Sequence, residues 1–439
     1  MCHANRSRGL SRFSSDENGT VPFGRTLAGI VAGLILAVCG GPARSDEATT
    51  LLLIYDEHAA AAPVEKGLPA AGKGERPAAQ SAAPKGPDQT PPQAAAPKKP
   101  LPIKELSPAL AALRDRVRPT LAALRQEPFN TRDSSPADVI HFCWAFGCDT
   151  EVLDATAAGA KLNGITCLCW NLPLGGGELL TVCDGHLAPR IGFGYQAGPS
   201  QLAAMLALAR VPPEYPARAG ETVRTVADLI EYEKLSCRSG ADMSLKLIAL
   251  SNYVRQATWK NSRGEEWSLA RVVKEELARS VADTPHAATN RVLGLSIALD
   301  RLRRRDQPIV GDFLRAQQYV DESCDYALRA QNPDGSWNGA GRQDAAAVLA
   351  MTGHVLEWLV LTLPPARLES APIVQSVQYV AEVLSSQRYR GSVPSLSSRE
   401  MESVTRAAHA LVVYDQRVFA PADPPPAPPE KPADAPAKQ

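Results

Sequence analysis

The feature that most limits how this chain can fold is an alternation between two kinds of helical segment. In Asp312–Ala330, Phe313, Gln317, Val320, Cys324, Ala327 and Leu328 recur every three or four positions, while Arg315, Asp321, Glu322, Asp325 and Arg329 take the opposite side. Such a helix turns one face to water. Asp344–Leu363 is apolar nearly all round, with Val348, Leu349, Met351, Val355, Leu356, Trp358, Leu359 and Val360 covering every face, and a helix of that kind has to be enclosed by protein. The alternation extends both ways: Thr225–Ser236, Ser268–Ser280 and Pro372–Leu384 are amphipathic, whereas Asp242–Val254 and Thr289–Leu302 are apolar on more than one side. Glu402–Tyr414 closes the series, and Ile103–Arg125, Pro136–Phe146, Ala158–Trp170 and Pro199–Ala209 read as earlier helices. Strand patterning is confined to Glu178–Cys183 and Arg190–Tyr195. About twelve helices, paired as outer amphipathic and inner apolar partners, predict an all-α fold of the α/α-toroid type, with an inner barrel and an outer ring. A solenoid of helical pairs is the alternative, and it predicts a more regular repeat period than this sequence has.

The chain has 439 residues, with 47 Lys and Arg against 47 Asp and Glu. No basic patch or run stands out, so nucleic acid is not an expected partner. Residues 1–45 read as a secretory signal or membrane anchor. Arg6, Arg8, Arg12 and Arg25 precede the apolar stretch Leu27–Val38, and small residues with Ala43-Arg44-Ser45 follow. The apolar stretch is shorter than the ~20 residues of a spanning helix, which favours cleavage near Ser45 over a retained tether. A lipoprotein reading through Cys39 meets the obstacle of bulky Val38 before it. Residues 46–100 form an Ala/Pro-rich linker and residues 420–439 a Pro-rich tail, both too poor in apolar side chains to offset ordering entropy. Residues 101–419 are the folded body. The localisation that follows is export to the periplasm or cell envelope, with a possible membrane tether through the N-terminal segment.

The body holds Cys143, Cys148, Cys167, Cys169, Cys183, Cys237 and Cys324. In an exported protein, Cys143 with Cys148, or Cys167 or Cys169 with Cys183, are candidate disulfides, and buried free thiols are the alternative. The spacings do not match the paired pattern of structural zinc sites, and no metal or cofactor is expected.

Between an outer and an inner helix lies Gln331-Asn-Pro-Asp-Gly-Ser-Trp-Asn-Gly339. Pro333 suits the second position of a type I turn, Asp334 the third, and Gly335 the end that needs a left-handed backbone. Trp337 then folds back over the helix ends, with Gln331 placed to bond exposed backbone groups. These residues resemble the repeat of squalene-hopene and oxidosqualene cyclases, Q-x(2–5)-G-x-W, through Gln331, Gly335 and Trp337. Asp334-Gly335 is also similar to turns of protein prenyltransferase β-subunits, which share the toroid. A longer-spaced version is Gln256…Gly264-Glu-Glu-Trp267. The resemblance implies membership of the terpenoid cyclase/prenyltransferase toroid superfamily. Its chemistry does not transfer with it: the acidic D-x-D-D and D-D-x-x-D motifs are missing, and so is the Cys-Gly-Glu-Gln thioester string of complement-like toroids. The nearest approach to the prenyltransferase zinc site, Asp242-Met243-Ser244 with His286, puts a hydroxyl where a thiolate ligand belongs.

In a toroid the inner-helix starts converge on one mouth, where helix dipoles favour anions. Asp242, Lys246, His286, Asn290, Arg291, Asp344 and Arg406, the last with Glu402, fall at or near such starts. They are the candidate ligand-binding set for an anionic or sugar-like molecule, with helix capping as the ordinary role of Asp242 and Asp344. His354 lies three residues before Glu357 on an apolar helix, where a buried, satisfied imidazole is the ordinary reading. Trp144, Trp170, Trp267 and Trp358 read as core. The expected function is binding of a small-molecule or protein ligand; the alternative is a carbohydrate-active lyase or hydrolase, or a divergent isoprenoid-processing enzyme.

Overall fold

The computed structural model describes residues 105–126, 129–155, 159–280, 285–338, 344–389 and 393–419, apart from the side chains of residues 285–287 and 394. The readings made for 1–45, 46–100 and 420–439 lie outside the described residues. Thirteen α-helices are present among those described, with four short two-stranded antiparallel hairpins between them. The fold is mostly helical.

Six helices are buried on nearly every side: α2 (Pro136–Phe146), α4 (Gln201–Leu208), α6 (Ser244–Tyr253), α8 (Pro285–Arg303), α10 (Ala345–Thr362) and α13 (Ser398–Tyr414). They pack in chain order, α2 on α4, α4 on α6, α6 on α8, α8 on α10 and α10 on α13, and α13 returns to α2. Helices α1 (Pro108–Arg125), α5 (Val226–Leu235), α7 (Leu269–Ala278), α9 (Asp312–Arg329) and α12 (Ala371–Leu384) cover this set from outside. Each puts an apolar stripe inward, as in α9, where Ala316, Tyr319, Val320, Cys324 and Ala327 are buried. The two shortest helices are α3 (Gly164–Cys169) and α11 (Pro365–Leu368). The heaviest packing joins α10 and α13, and Gly353 makes it possible: a Cβ there would sit 2.9 Å from both the Cβ and the backbone nitrogen of Ala407. Helix α10 is long and apolar enough to cross a membrane, yet most of it is enclosed by neighbouring helices.

Helix ends follow local chemistry. At α2, Ser135 and Asp138 form a reciprocal capping box with Pro136 at the first position, and Ser397 with Glu400 does the same for α13. Helix α1 starts at Pro108, later than its periodicity indicates, because the Ser107 hydroxyl caps it. The stretch expected as one helix, Ala158–Trp170, divides in two. Lys161–Asn163 pairs with Glu151–Leu153 as β2 on β1, and the Asn163 side chain accepts from Thr166 N to start α3. Leu180–Cys183 (β3) pairs with His186–Pro189 (β4), not with Arg190–Tyr195, whose Gly192 and Gly194 take positive φ. Pro216–Ala219 (β5) with Thr222–Thr225 (β6), and Trp259–Lys260 (β7) with Glu266–Trp267 (β8), complete the hairpins.

The turn between α9 and α10 is a staple. Gly335 N donates to Asn332 O at 2.9 Å, and Gly335 has φ 90°; a Cβ at that position would lie 2.6 Å from the backbone carbonyl of Gln375 on α12. The Gln331 amide donates to Gly335 O, Pro372 O and Ser376 Oγ at 3.1, 2.8 and 2.5 Å, tying the turn to the start of α12. Asp334 holds Ser336 through N and Oγ. Trp337 is fully buried, and its indole donates to Ala327 O at 2.8 Å, over the last turn of α9.

All seven cysteines of the described residues are free thiols, so the candidate disulfides are not formed. Cys143 is enclosed in the core, Cys148 points at the carbonyl of Ala209, and Cys183 is exposed on β3. Burial pushes the Cys167 and Cys169 thiols up to about 12.

Candidate functional site

Several charged and polar side chains of the six-helix set meet around one buried carboxylate. Glu357, twelve residues into α10, is 1% exposed and has three partners from two other core helices. The Trp144 indole on α2 donates to its Oε1 at 2.7 Å, His409 Nδ1 on α13 to the same oxygen at 2.6 Å, and Arg406 Nη1 to Oε2 at 3.1 Å. Arg406 also lies 3.9 Å over the Trp144 ring, a cation–π contact in a site shielded from water. Burial by itself would raise the Glu357 carboxyl; the Arg406 charge and the His409 and Trp144 hydrogen bonds outweigh it and hold the group down at about 2. An acceptor so fully engaged is a poor base. It fixes Trp144, Arg406 and His409 in position.

One to two helical turns nearer the helix starts, the same helices bring a second group together. Arg406 Nη2 reaches Asn290 Oδ1 on α8 at 3.4 Å. His354 Nε2 on α10 stands 3.9 Å from Glu402 Oε1 on α13. His141 on α2 lies within Coulombic reach of both Glu402 and Arg406; burial is the main cause that lowers its pKa, Arg406 adds to the lowering, and Glu402 and Asp138 oppose it. His141, His354 and Arg406 are all buried, whereas the Glu402 side chain is 31% exposed and Asn290 is partly exposed, so the cluster meets solvent through these two residues. Within the described residues, no group of three or more His, Cys, Asp or Glu is placed to hold a metal ion.

The residues singled out from sequence divide between this cluster and the rim. Asn290 and Arg406 belong to it. Lys246 instead donates to the Glu233 carboxylate, to Glu233 O at 2.9 Å and to Ser236 Oγ at 2.7 Å, all on or just after the flanking helix α5. Arg291 donates through Nε to Glu276 Oε1 on α7 at 3.0 Å and through Nη2 to Arg279 O at 2.6 Å. Asp242 accepts from Ser244 N at 2.9 Å and faces Arg279 at 3.4 Å. Asp344 is exposed and caps α10 by accepting from Ala347 N at 2.9 Å. The backbone of His286 lies in the first turn of α8, and its side chain is outside the described residues. Ser244, the residue in the thiolate position of the prenyltransferase pattern, has its hydroxyl on Glu276 Oε1 at 3.0 Å.

Sequence reading missed Glu233 and Glu276. Each is buried on a flanking helix and receives the start of successive core helices: Glu233 takes Ser200 Oγ at 2.6 Å and Lys246, and Glu276 takes Met243 N at 2.9 Å, Ser244 and Arg291. The signal was available, because Glu233 follows Leu229 and Ile230, and Glu276 follows Val272 and Val273, at helical spacing on the apolar stripe.

Compared with family models, with curated proteins and with solved structures, the chain matches none of them.

Proposed function

We propose that this chain is an exported α/α-toroid protein that binds an anionic or sugar-like ligand at the helix-start end of its axis. The return of α13 to α2 supports a closed toroid over an open solenoid, whose first and last helices would stay apart. The staple at Gln331, Gly335 and Trp337 supports kinship with terpenoid cyclase-like toroids, while the missing acidic and zinc motifs argue against inheriting their reactions. The N-terminal basic, apolar and small-residue order supports export, with a tether through the same segment as its variant.

The observation that carries the binding reading is the convergence of His141, Asn290, His354, Glu402 and Arg406 from four helices, with Glu402 and Asn290 reaching solvent. Donors and an acceptor held by a rigid scaffold suit a ligand with several oxygens. A second reading rests on His141: an imidazole kept neutral near a carboxylate is equipped for proton transfer, as a carbohydrate lyase or hydrolase needs.

A thermal-shift screen of polyanionic sugars and isoprenoid diphosphates tests the proposal, since a ligand of the folded state raises the melting temperature. At least one compound is expected to stabilise the wild type, and Glu402→Gln or His354→Ala is expected to abolish that shift. Equal shifts in all three proteins would remove the assignment. Turnover of the stabilising sugar, lost in His141→Gln, would select the enzymatic reading over binding alone.

A further inference from the structure

The C-terminal ends of α4, α6 and α8 meet at the other end of the core helices. Tyr253 Oη at the end of α6 donates to Val211 O, just past α4, at 2.8 Å. Arg305, just past α8, donates to Ser251 O at 2.6 Å, Asn252 O at 3.0 Å and Val254 O at 3.4 Å on α6. From Asn290 in the Glu402 cluster to this end is eleven residues of α8, roughly 16 Å. The two regions are separate.

Each of the three ends carries an arginine there. Arg210 follows the cap of α4 with a left-handed φ of 58°, Arg255 follows the cap of α6, and Arg301 lies in the last turn of α8. Nearby Arg304 is paired with Asp300 at 2.7 Å, and Arg305 is committed to the α6 carbonyls. Among the described residues no carboxylate pairs with Arg210, Arg255 or Arg301. Arg301 is half-buried, and its Nε is shut off from solvent with no hydrogen-bond partner. Its charge stands within Coulombic reach of Arg304, Arg210 and Arg255, with Asp300 as the opposing neighbour.

Asp300 opposes three neighbouring guanidinium groups around the sheltered Arg301, which leaves positive charge in excess there, and Arg301 Nε is a donor that no protein group takes. The helix C-termini offset part of the charge, but the carbonyls at the end of α6 are already taken by Arg305 and, at Asn252 O, by Arg255 Nη1 at 2.8 Å, which leaves the rest of the Arg255 fork available. We propose that Arg210, Arg255 and Arg301 form an oxyanion site that takes a phosphate group. Forked donors arriving from three helix ends match a tetrahedral group with several oxygens, whereas a carboxylate occupies a single fork. The phosphate is either free or part of an anionic lipid headgroup, since the chemistry is shared.

The test uses the full chain in two arms: calorimetric titration with inorganic phosphate, and sedimentation with vesicles of an anionic phospholipid against vesicles of a zwitterionic one. Arg210 and Arg255 are exposed, so Arg210→Gln and Arg255→Gln leave the core intact, and Arg301→Gln removes the sheltered donor. Binding is expected in at least one arm, weakened about tenfold or more by each substitution and by added salt. Phosphate binding identifies a free anion, and binding to anionic vesicles alone identifies a headgroup. Absence of binding in both arms, or binding that the two exposed variants leave unchanged, overturns the site.

Discussion

Two sets of buried charge sit on different helices and do different work. At the rim, Glu233 with Lys246 and Glu276 with Arg291 join flanking helices to core helices. On the axis, Glu357 with Arg406 and His409 joins core helices to one another, and its neighbours lead to the half-exposed Glu402. The rim carboxylates are surrounded by partners and hold helix starts in register. The axial group ends in a carboxylate that still faces solvent. Charge buried on all sides serves architecture here, and charge that emerges at one end is where the proposed ligand would meet the protein.

The comparison breaks most sharply at Glu276. Glu276→Ala leaves Arg291 buried without its carboxylate and frees Met243 N and Ser244, so unfolding free energy should fall by roughly 3–5 kcal/mol. Glu402→Gln should cost under about 1 kcal/mol, because its side chain is partly solvated. Denaturant midpoints of the two variants measure the contrast, and similar losses would erase it.

Acid separates the axis from an ordinary surface carboxylate. The Glu357 carboxyl is held at about 2, below its usual 4.5, so the unfolded chain binds the proton more readily. Its contribution is therefore complete above about pH 4.5 and is lost as pH falls through about 2, on the order of 3 kcal/mol in all. Stability measured across that window should fall more steeply for the wild type than for Glu357→Gln, whose baseline stability is lower because Arg406 has lost its partner.

A smaller effect than at Glu276 belongs to the turn. Gly335→Ala should cost about 1–3 kcal/mol, through a positive φ and a clash with the Gln375 carbonyl, while leaving any ligand-induced thermal shift unchanged. A lost shift in that variant would tie the staple to the site.

Much of this architecture is legible in the sequence because it rests on local periodicity. The all-round apolar helices and the one-sided ones emerge as core and cover, and the geometry at Gln331, Gly335 and Trp337 follows from what those residue types do in a turn. The short pairing of β1 with β2 was hidden because its partners lie on either side of a turn and neither strand alternates clearly. For the site, closeness to a helix start was a poor guide to direction. Lys246 and Arg291 start their helices as Asn290 does, yet face outward to glutamates on flanking helices. Trp144, read as core, is buried and also a donor to Glu357. His354 and Glu357 are neighbours on one helix but face different partners on α13. Those choices depend on the helices across the interface, which no single stretch of sequence contains.

His141 and Glu402, far apart in the chain, are brought within Coulombic reach of one another. Side-chain NMR titration of the imidazoles tests it most directly, with His141 assigned by its loss in His141→Gln. The account predicts that His141 titrates below 6.5 in the wild type and lower still in Glu402→Gln, where the carboxylate that favours its protonated form is gone. A His141 titration that ignores the Glu402 substitution would contradict it.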